Sequence, residues 1–259
     1  MKNKINKQLA VCGVAAVKAL AKEHPEKIRK FYYTEDNIYQ FGSLCKFLAQ
    51  NKIPYNKVEA LDLEKLCGSV HHQGAVAMID EEKPEPLTTY IVDEWIENNE
   101  SAVLLDRIGN ANNLGAIIRS AAFFGVKNIV IPINESQSAI TTSTYRVAQG
   151  GMEYVKVYSI RSAVRLLQDL EGRMLRIGTD VRTKTSSRDM KKFANKKPII
   201  LVLGNEETGV SNVVLENCDK LVVIPSAAVQ NKEDQRIESL NVAQAASVLF
   251  YEMVNIANG

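Results

Sequence analysis

The sequence predicts an α/β protein of two domains, on three observations. Four continuous apolar runs, 102–106 (AVLLD), 128–132 (NIVIP), 199–204 (IILVLG) and 221–225 (LVVIP), have the character of strands buried on both faces of a parallel sheet. Segments with apolar residues at helical spacing lie between and after them. An acidic stretch with two prolines, Glu81-Glu82-Lys83-Pro84-Glu85-Pro86, has almost nothing to bury and divides off the first 80 residues. The expected layout is a domain at 1–80, a linker at 81–89 and a second domain at 90–259.

In the first domain the pattern gives a helix at 10–21, a strand at 28–33, a helix at 38–50, a short strand at 53–58, a helix at 61–67 and an apolar strand at 75–79. Beyond the linker, 154–158 and 174–179 are weaker strand candidates beside the four runs. Helical patterns occupy 114–124, 140–149 and 162–170. A final helix at 242–256 sets Val242, Ala245, Ala246, Leu249, Met253 and Ile256 in one stripe. Strand and helix in alternation mean α/β.

Composition narrows the class further. With 46% hydrophobic and 24% charged residues the chain is neither disordered nor fibrous. No apolar run approaches the roughly 20 residues that cross a bilayer, so no membrane is expected. The basic N-terminal segment, its apolar part interrupted by Gly13 and Lys18, reads as ordinary amphipathic structure and not a leader peptide. Cys12, Cys45, Cys67 and Cys218 are scattered, without Cys-x-x-Cys or a histidine at ligand spacing. That predicts reduced thiols of a cytoplasmic protein, with no metal site. Net charge is +2, but residues 1–30 hold eight Lys/Arg against Glu23 and Glu26. Residues 161–197 hold eleven against Asp169, Glu171, Asp180 and Asp189. The two basic segments fit either a split phosphate-binding footprint or a pair of solvated surfaces.

In open parallel sheets, ligands bind beyond the carboxyl ends of the strands. Three such ends carry unusual residues. Gly204-Asn205-Glu206-Glu207-Thr208-Gly209 is framed by glycines, yet Val210 stands where a phosphate loop needs lysine, and no Gly-x-Gly-x-x-Gly occurs. Nucleotide triphosphate hydrolysis and the dinucleotide fingerprint are thereby set aside, leaving a tight turn or a binding loop. Asn112-Asn113-Leu114-Gly115 opens a helix that an asparagine can cap. Arg119, six residues past Asn113 in an otherwise apolar helix, is either a snorkelling side chain or a guanidinium kept for an anion. Ile224-Pro225-Ser226 ends the last strand, and Ser239 or Asn241 can cap the final helix. His71-His72 cannot easily bring both rings to one metal, and they fit the scaffold.

Taken together, DRIGNANNLGAIIRSAAFFG (106–125), LVLGNEETGVS (201–211), and VVIP (222–225) followed by ESLNVAQAASVLFYE (238–252) resemble the three signature motifs of the SpoU/TrmH family of RNA ribose methyltransferases, within the SPOUT superfamily. VCGVAAVKAL and HHQGAVAMI resemble that family's N-terminal substrate-binding domain, a small α/β fold similar to ribosomal RNA-binding proteins. The stretch 226–237 departs from the family pattern, being longer and more polar than usual. The resemblance implies a parallel-sheet domain with a deep trefoil knot, a homodimer that completes the site, and S-adenosylmethionine as cofactor. The implied substrate is the ribose 2′-hydroxyl of an RNA, ribosomal more than transfer RNA. It also implies a polar cluster of Asn113, Arg119, Glu206, Ser239 and Asn241 around methyl donor and RNA. Cofactor contacts are implied at Gly204, Asn205, Ile224, Ser226 and Leu240. In the family's usual account Arg119 is a base or a phosphate ligand. A guanidinium is effectively never deprotonated near neutral pH, which favours an electrostatic clamp. Two other readings are a non-catalytic RNA-binding protein on this scaffold and an antibiotic-resistance factor that methylates ribosomal RNA.

Overall fold

In a computed structural model of the chain, residues 7–81, 83–133, 136–194, 197–226 and 239–257 are described. The chain forms two units, Met1–Lys83 with Ile140–Tyr154 and Pro84–Ala139 with Val155–Gly259. The first unit begins with β1 (Gln8–Cys12), α1 (Val14–Glu23), β2 (Ile28–Tyr33), α2 (Gly42–Gln50), β3 (Tyr55–Lys57), α3 (Ala60–Cys67) and β4 (Ala75–Asp80). Its sheet runs β1-β4-β2-β3, with β4 antiparallel to both neighbours and β3 parallel to β2. Residues 8–12 are therefore a strand, and the helix expected at 10–21 starts only at Val14. Pairing of Gln8 through Cys12 with Asp80 through Val76 overrides a helical pattern in the sequence. Phe31 anchors the core, edge-on to Phe41 at 5.0 Å and stacked on Tyr33 at 5.4 Å. His72 is buried, and its Nδ1 accepts the Gly74 amide at 3.0 Å, as a scaffold residue would.

The second unit holds β5 (Glu85–Pro86), α4 (Thr89–Glu97), β6 (Ala102–Asp106), α5 (Ala111–Phe124) and β7 (Asn128–Pro132). Next in the chain comes α6 (Thr142–Ala148), which belongs to the first unit. The second unit continues with β8 (Lys156–Ile160), α7 (Ala163–Asp169), β9 (Leu175–Thr179), α8 (Met190–Phe193), β10 (Ile199–Gly204), α9 (Asn212–Leu215), β11 (Lys220–Val222) and α10 (Val242–Ala257). Its seven strands are all parallel, in the order β11-β9-β10-β6-β7-β8-β5. Every residue of β6, β7 and β10 is buried, as continuous apolar runs in the middle of such a sheet should be. Trp95 of α4 meets Tyr158 of β8 edge to face at 5.4 Å beneath this sheet. The stretch read as linker contributes β5, paired with β8 at Glu85↔Tyr158 and Pro86↔Ser159. It is an edge strand, where a proline costs no ladder hydrogen bond.

Within the first unit, α6 lies on β1, and Thr142 Oγ1 accepts the Ala10 amide at 3.2 Å. An otherwise open sheet edge is thereby covered. Gly150, at φ +94°, closes the segment onto α1, where a Cβ would come within 2.8 Å of the Ala19 methyl and 3.2 Å of the Ala15 carbonyl. Sequence order alone places 140–154 with the second domain. Its packing partners are β1 and α1.

Four of the eleven Lys/Arg in the basic segment 161–197 are ion-paired. Arg173 pairs with Asp93, Arg182 with Asp180 and Lys192 with Asp189. Arg176, 6% exposed, binds Asp219 through both Nε (3.1 Å) and Nη2 (2.6 Å), while its own amide donates to the same carboxylate at 2.9 Å. These contacts, hydrogen bonding first, hold the Asp219 carboxyl below its ordinary range. The stabilisation is complete above the ordinary carboxylate pKa and is lost as pH falls through the depressed one. Asp219→Ala should cost about 2 kcal/mol, below the figure for a fully buried pair because Asp219 is partly solvated. Thermal midpoints measured across the acid range should show a flatter acid limb in the variant than in the wild type.

Candidate active site

The carboxyl ends of β6, β10 and β11 bring the three sequence motifs to one edge of the parallel sheet. After β6 the chain turns at Arg107, a non-glycine residue at φ +65°, and enters α5. The cap of α5 is Asn110, whose Oδ1 accepts the Asn112 amide at 2.8 Å. Capping by Asn112 or Asn113 is thereby corrected: Asn113 sits in the first turn, and its side chain is free to reach across the site. Its Nδ2 donates to Glu206 Oε1, 93 positions away, and its Oδ1 accepts Asn241 Nδ2 at 3.1 Å. Asn241 at the same time accepts the Ala243 amide at 2.9 Å through Oδ1, so it caps α10 and joins the cluster at once. Of the five residues expected around methyl donor and RNA, three are in one hydrogen-bonded chain.

The loop after β10 explains why Glu206 points where it does. Asn205 Oδ1 accepts from the Glu207 and Thr208 amides, both at 3.0 Å, and from Thr208 Oγ1 at 3.2 Å. Asn205 Nδ2 donates to the Arg107 carbonyl at 3.1 Å and to Glu206 Oε2 at 3.4 Å. The Asn205 side chain is thus engaged by the loops themselves, and its carbonyl accepts the Gly209 amide at 2.9 Å. Gly204 has a similar internal reason. A Cβ there would collide with the backbone of Gly209 and Val210, because the loop folds back on the strand end through an Asn205–Gly209 bridge.

Arg119 and Ser239 are placed differently. Arg119 is exposed, and the described residues give it no hydrogen-bond or ion-pair partner. Six residues past Asn113, it lies about 9 Å further along the helix. Its face of α5 also carries Phe123, 83% exposed, next to Phe124 and Tyr251 of α10, whose rings are 6.3 Å apart. Ser239 and Leu240 are exposed just before α10, Ile224 is half-buried and Ser226 exposed just after β11. Residues 227–237 of the polar stretch lie outside the described residues.

Several residues that build this edge escape sequence reasoning. Arg107 Nη2 donates to the Gly209 carbonyl at 3.0 Å, and the buried Asp106 accepts the Ser211 amide at 2.8 Å, so the first and second motifs are tied directly. On the other side, the Ile108 amide donates to Gln137 Oε1 at 3.0 Å and its carbonyl accepts the Ser138 amide at 2.8 Å. A signal existed for Asp106 and Arg107, which open the first motif. None existed for Gln137, which lies in a polar connection. Among the described residues no group of three or more His, Cys, Asp or Glu could hold a metal, and the four cysteines are free thiols. No helix there is long and apolar enough to cross a membrane.

The carboxyl edge of the parallel sheet gathers backbone loops, three side-chain amides and a carboxylate at the place where such sheets bind small molecules. The family model of the SpoU rRNA Methylase family matches residues 100–251, and that for RNA 2′-O ribose methyltransferase substrate binding matches residues 10–85. The chain belongs to the SpoU rRNA methylase family. It is 29% identical over 244 residues to a 23S rRNA (guanosine-2′-O-)-methyltransferase of Acinetobacter baylyi, covering 93% of this chain and 94% of that one. A tRNA/rRNA methyltransferase of uncharacterised role from Mycobacterium avium is 32% identical over 211 residues, 79% of this chain and 63% of its own. Among solved structures, the SpoU methyltransferase AviRb from Streptomyces viridochromogenes, in complex with AdoMet, shares the fold. Its TM-score is 0.72 at 21% identity, covering 97% of this chain and 91% of that one.

Gly204→Ala is expected to cost about 1–3 kcal/mol through overpacking of the loop and not through a ligand. Amide exchange at Gly209 and Val210 should quicken in the variant even without any ligand present. Unchanged exchange there would place the constraint on Gly204 elsewhere.

Proposed function

We propose that the protein is a cytoplasmic S-adenosylmethionine-dependent enzyme that methylates a ribose 2′-hydroxyl of ribosomal RNA. The observation that carries the reading is the chain Asn241–Asn113–Glu206–Asn205, which joins all three motifs at the carboxyl edge of the sheet. The donor set suits that cofactor. Loop backbone at 204–205, 224–226 and 239–240 offers directional hydrogen bonds to an adenosine, and a carboxylate stands by for a cation. When bound, the cofactor supplies an electrophilic methyl on a sulfonium.

The chain's own residues must then orient the nucleophile and assist loss of its proton. Asn113 and Asn205 each engage one oxygen of Glu206 and fix the carboxylate. Asn241, locked by its capping bond, fixes Asn113 in turn. Arg119 serves as the clamp on the target phosphate and the developing alkoxide, a role that an exposed, always-charged guanidinium can fill. Ser239 adds a hydroxyl at the entrance to α10.

A second copy of the chain completes the site. The support is the aromatic patch of Phe123, Phe124 and Tyr251, which shares a side of the α5–α10 pair with Arg119. The packing of α10 against α5, with Ser120 and Ser247 hydroxyls 2.8 Å apart, makes that surface one continuous piece. A trefoil knot in which the final segment threads back through a loop belongs to the same reading, and the packing of α10 on α8 and α5 supports it.

The function is tested by transfer of labelled methyl groups from S-adenosylmethionine to ribosomal RNA. Mapping of ribose methylation in cells with and without the gene then locates the target. A folded protein that does not bind S-adenosylmethionine by calorimetry would instead be an RNA-binding protein on this scaffold. Arg119→Ala should abolish transfer while leaving cofactor affinity close to wild type, since the side chain lies outside the loops assigned to the adenosine. Phe123→Asp should convert a dimer to monomer in sedimentation and remove activity with it, whereas an active monomer would sink the shared site.

A further inference from the structure

A cavity of about 290 Å³ opens on the first unit between α1 and the start of α2. Its floor is rigid and apolar: Phe41 is 2% exposed and locked edge-on to Phe31, and Phe47 adds a second aromatic wall. Its rim is polar and cationic. Lys18 donates to Gln40 Oε1 at 2.8 Å, Lys22 lies on the neighbouring turn of α1, and the described residues give the Ser43 hydroxyl no hydrogen-bond partner. Tyr39, next to Gln40, is 94% exposed. The acids nearby are occupied, Glu23 by Lys22 at 2.7 Å and Glu26 by His24 at 3.3 Å.

The combination is selective. The volume is at the lower end for a small-molecule pocket, enough for one nucleobase and its sugar and too small for a peptide helix. Half-buried Phe47 offers a ring to a base, the Ser43 hydroxyl offers a partner to its edge, and the Lys18 ammonium at the mouth, held by a neutral amide, offers a partner to a phosphate, while Lys22 stays paired with Glu23. Unstacked bases of single-stranded RNA are recognised in that way, whereas a paired helix is read by shape and backbone. None of these residues takes part in the cluster at the carboxyl edge of the parallel sheet.

We propose that this cavity takes one unstacked nucleotide from a single-stranded segment of the RNA substrate, its base against Phe47 over the apolar floor that Phe41 closes and its phosphate at Lys18, whose only partner among the described residues is the neutral Gln40. The proposal rests on the reading that the enzyme acts on RNA. It adds that the substrate presents a loop or bulge, and not only a helix, to the first unit.

The test uses the full chain with a short labelled single-stranded RNA and the same sequence as a duplex. Ser43→Trp fills the cavity from its rim. It should weaken single-strand binding by about tenfold or more, the scale of one base stacked on an aromatic ring, and leave duplex and S-adenosylmethionine binding unchanged. Lys18→Gln should lower the salt dependence of single-strand affinity by about 0.7 log units, the scale of one phosphate left without its ammonium partner. Photocrosslinking of thiouridine-containing RNA to the wild type should mark the peptides of Phe41 and Phe47, which decides the matter even if a variant fails to fold. A folded Ser43→Trp protein with unchanged single-strand affinity, or crosslinks confined to other peptides, overturns the pocket and leaves the enzymatic reading standing. A wild-type protein that binds neither RNA form overturns both.

Discussion

The side-chain amide of Asn113 is the contact on which the catalytic edge depends. It spends its donor on Glu206 and its acceptor on Asn241, so one residue in the first turn of α5 fixes the loop after β10 and the start of α10. Nothing else in the cluster spans all three motifs. Amide-to-carboxylate and amide-to-amide bonds of this kind are individually modest, but each leaves a polar group unsatisfied when broken, and the loss is then larger than the bond. The residues around it are arranged so that Asn113 need not move. Asn110 takes over capping, Asn205 satisfies its own loop, and Arg107 holds a conformation uncommon for a side-chain-bearing residue while binding the Gly209 carbonyl.

Strand character in the second unit was legible because burial on both faces leaves no room for polar residues. Thus β6, β7 and β10 appear in the sequence at the bounds the structure gives them. Among elements with mixed surroundings some were legible, as β2 at its bounds 28–33, and others were not. The segment 8–12 is followed directly by a helix, and its apolar residues continue that helix's spacing, so only the partner strand β4 identifies it as β1. Glu85-Pro86 is a strand only because β8 offers an edge. In α4, Val92 and Trp95 pack under the sheet, while acidic residues around them disguise the pattern. The site divides along the same line. Asn113, Glu206 and Asn241 stand in recognisable motifs, whereas Gln137 acts through a buried amide whose partner, the Ile108 backbone, has no sequence signature.

Charge is where sequence and structure weigh differently. A run rich in Lys and Arg between 161 and 197 suggests a phosphate footprint when counted. Pairing removes Arg173, Arg176, Arg182 and Lys192 from that count, and Lys197 donates to the Gly172 carbonyl at 2.7 Å. What a phosphate meets is the unpaired remainder, so one-dimensional charge overstates the footprint of this segment. In the first unit the same pairing takes Lys22, held by Glu23, whereas Lys18, one turn before it in α1, meets only the neutral Gln40 beside an aromatic cavity.

The exposed position of Arg119 bears on how such an enzyme reaches specificity. Buried in its own helix face, a guanidinium would have to find an anion within the chain to offset its desolvation. Exposed, it keeps its hydration, and under the proposed function the electrostatic gain is realised only when a phosphate arrives and bound RNA excludes water. A lone copy of this chain then holds the parts that fix the carboxylate, while the guanidinium that the proposed function assigns to the RNA phosphate stays in solvent at the margin. Separating those functions lets the sheet edge be rigid before substrate binds and makes the strongest charge interaction conditional on RNA being in place, which is the condition for spending binding energy on the transition state and not on the free enzyme.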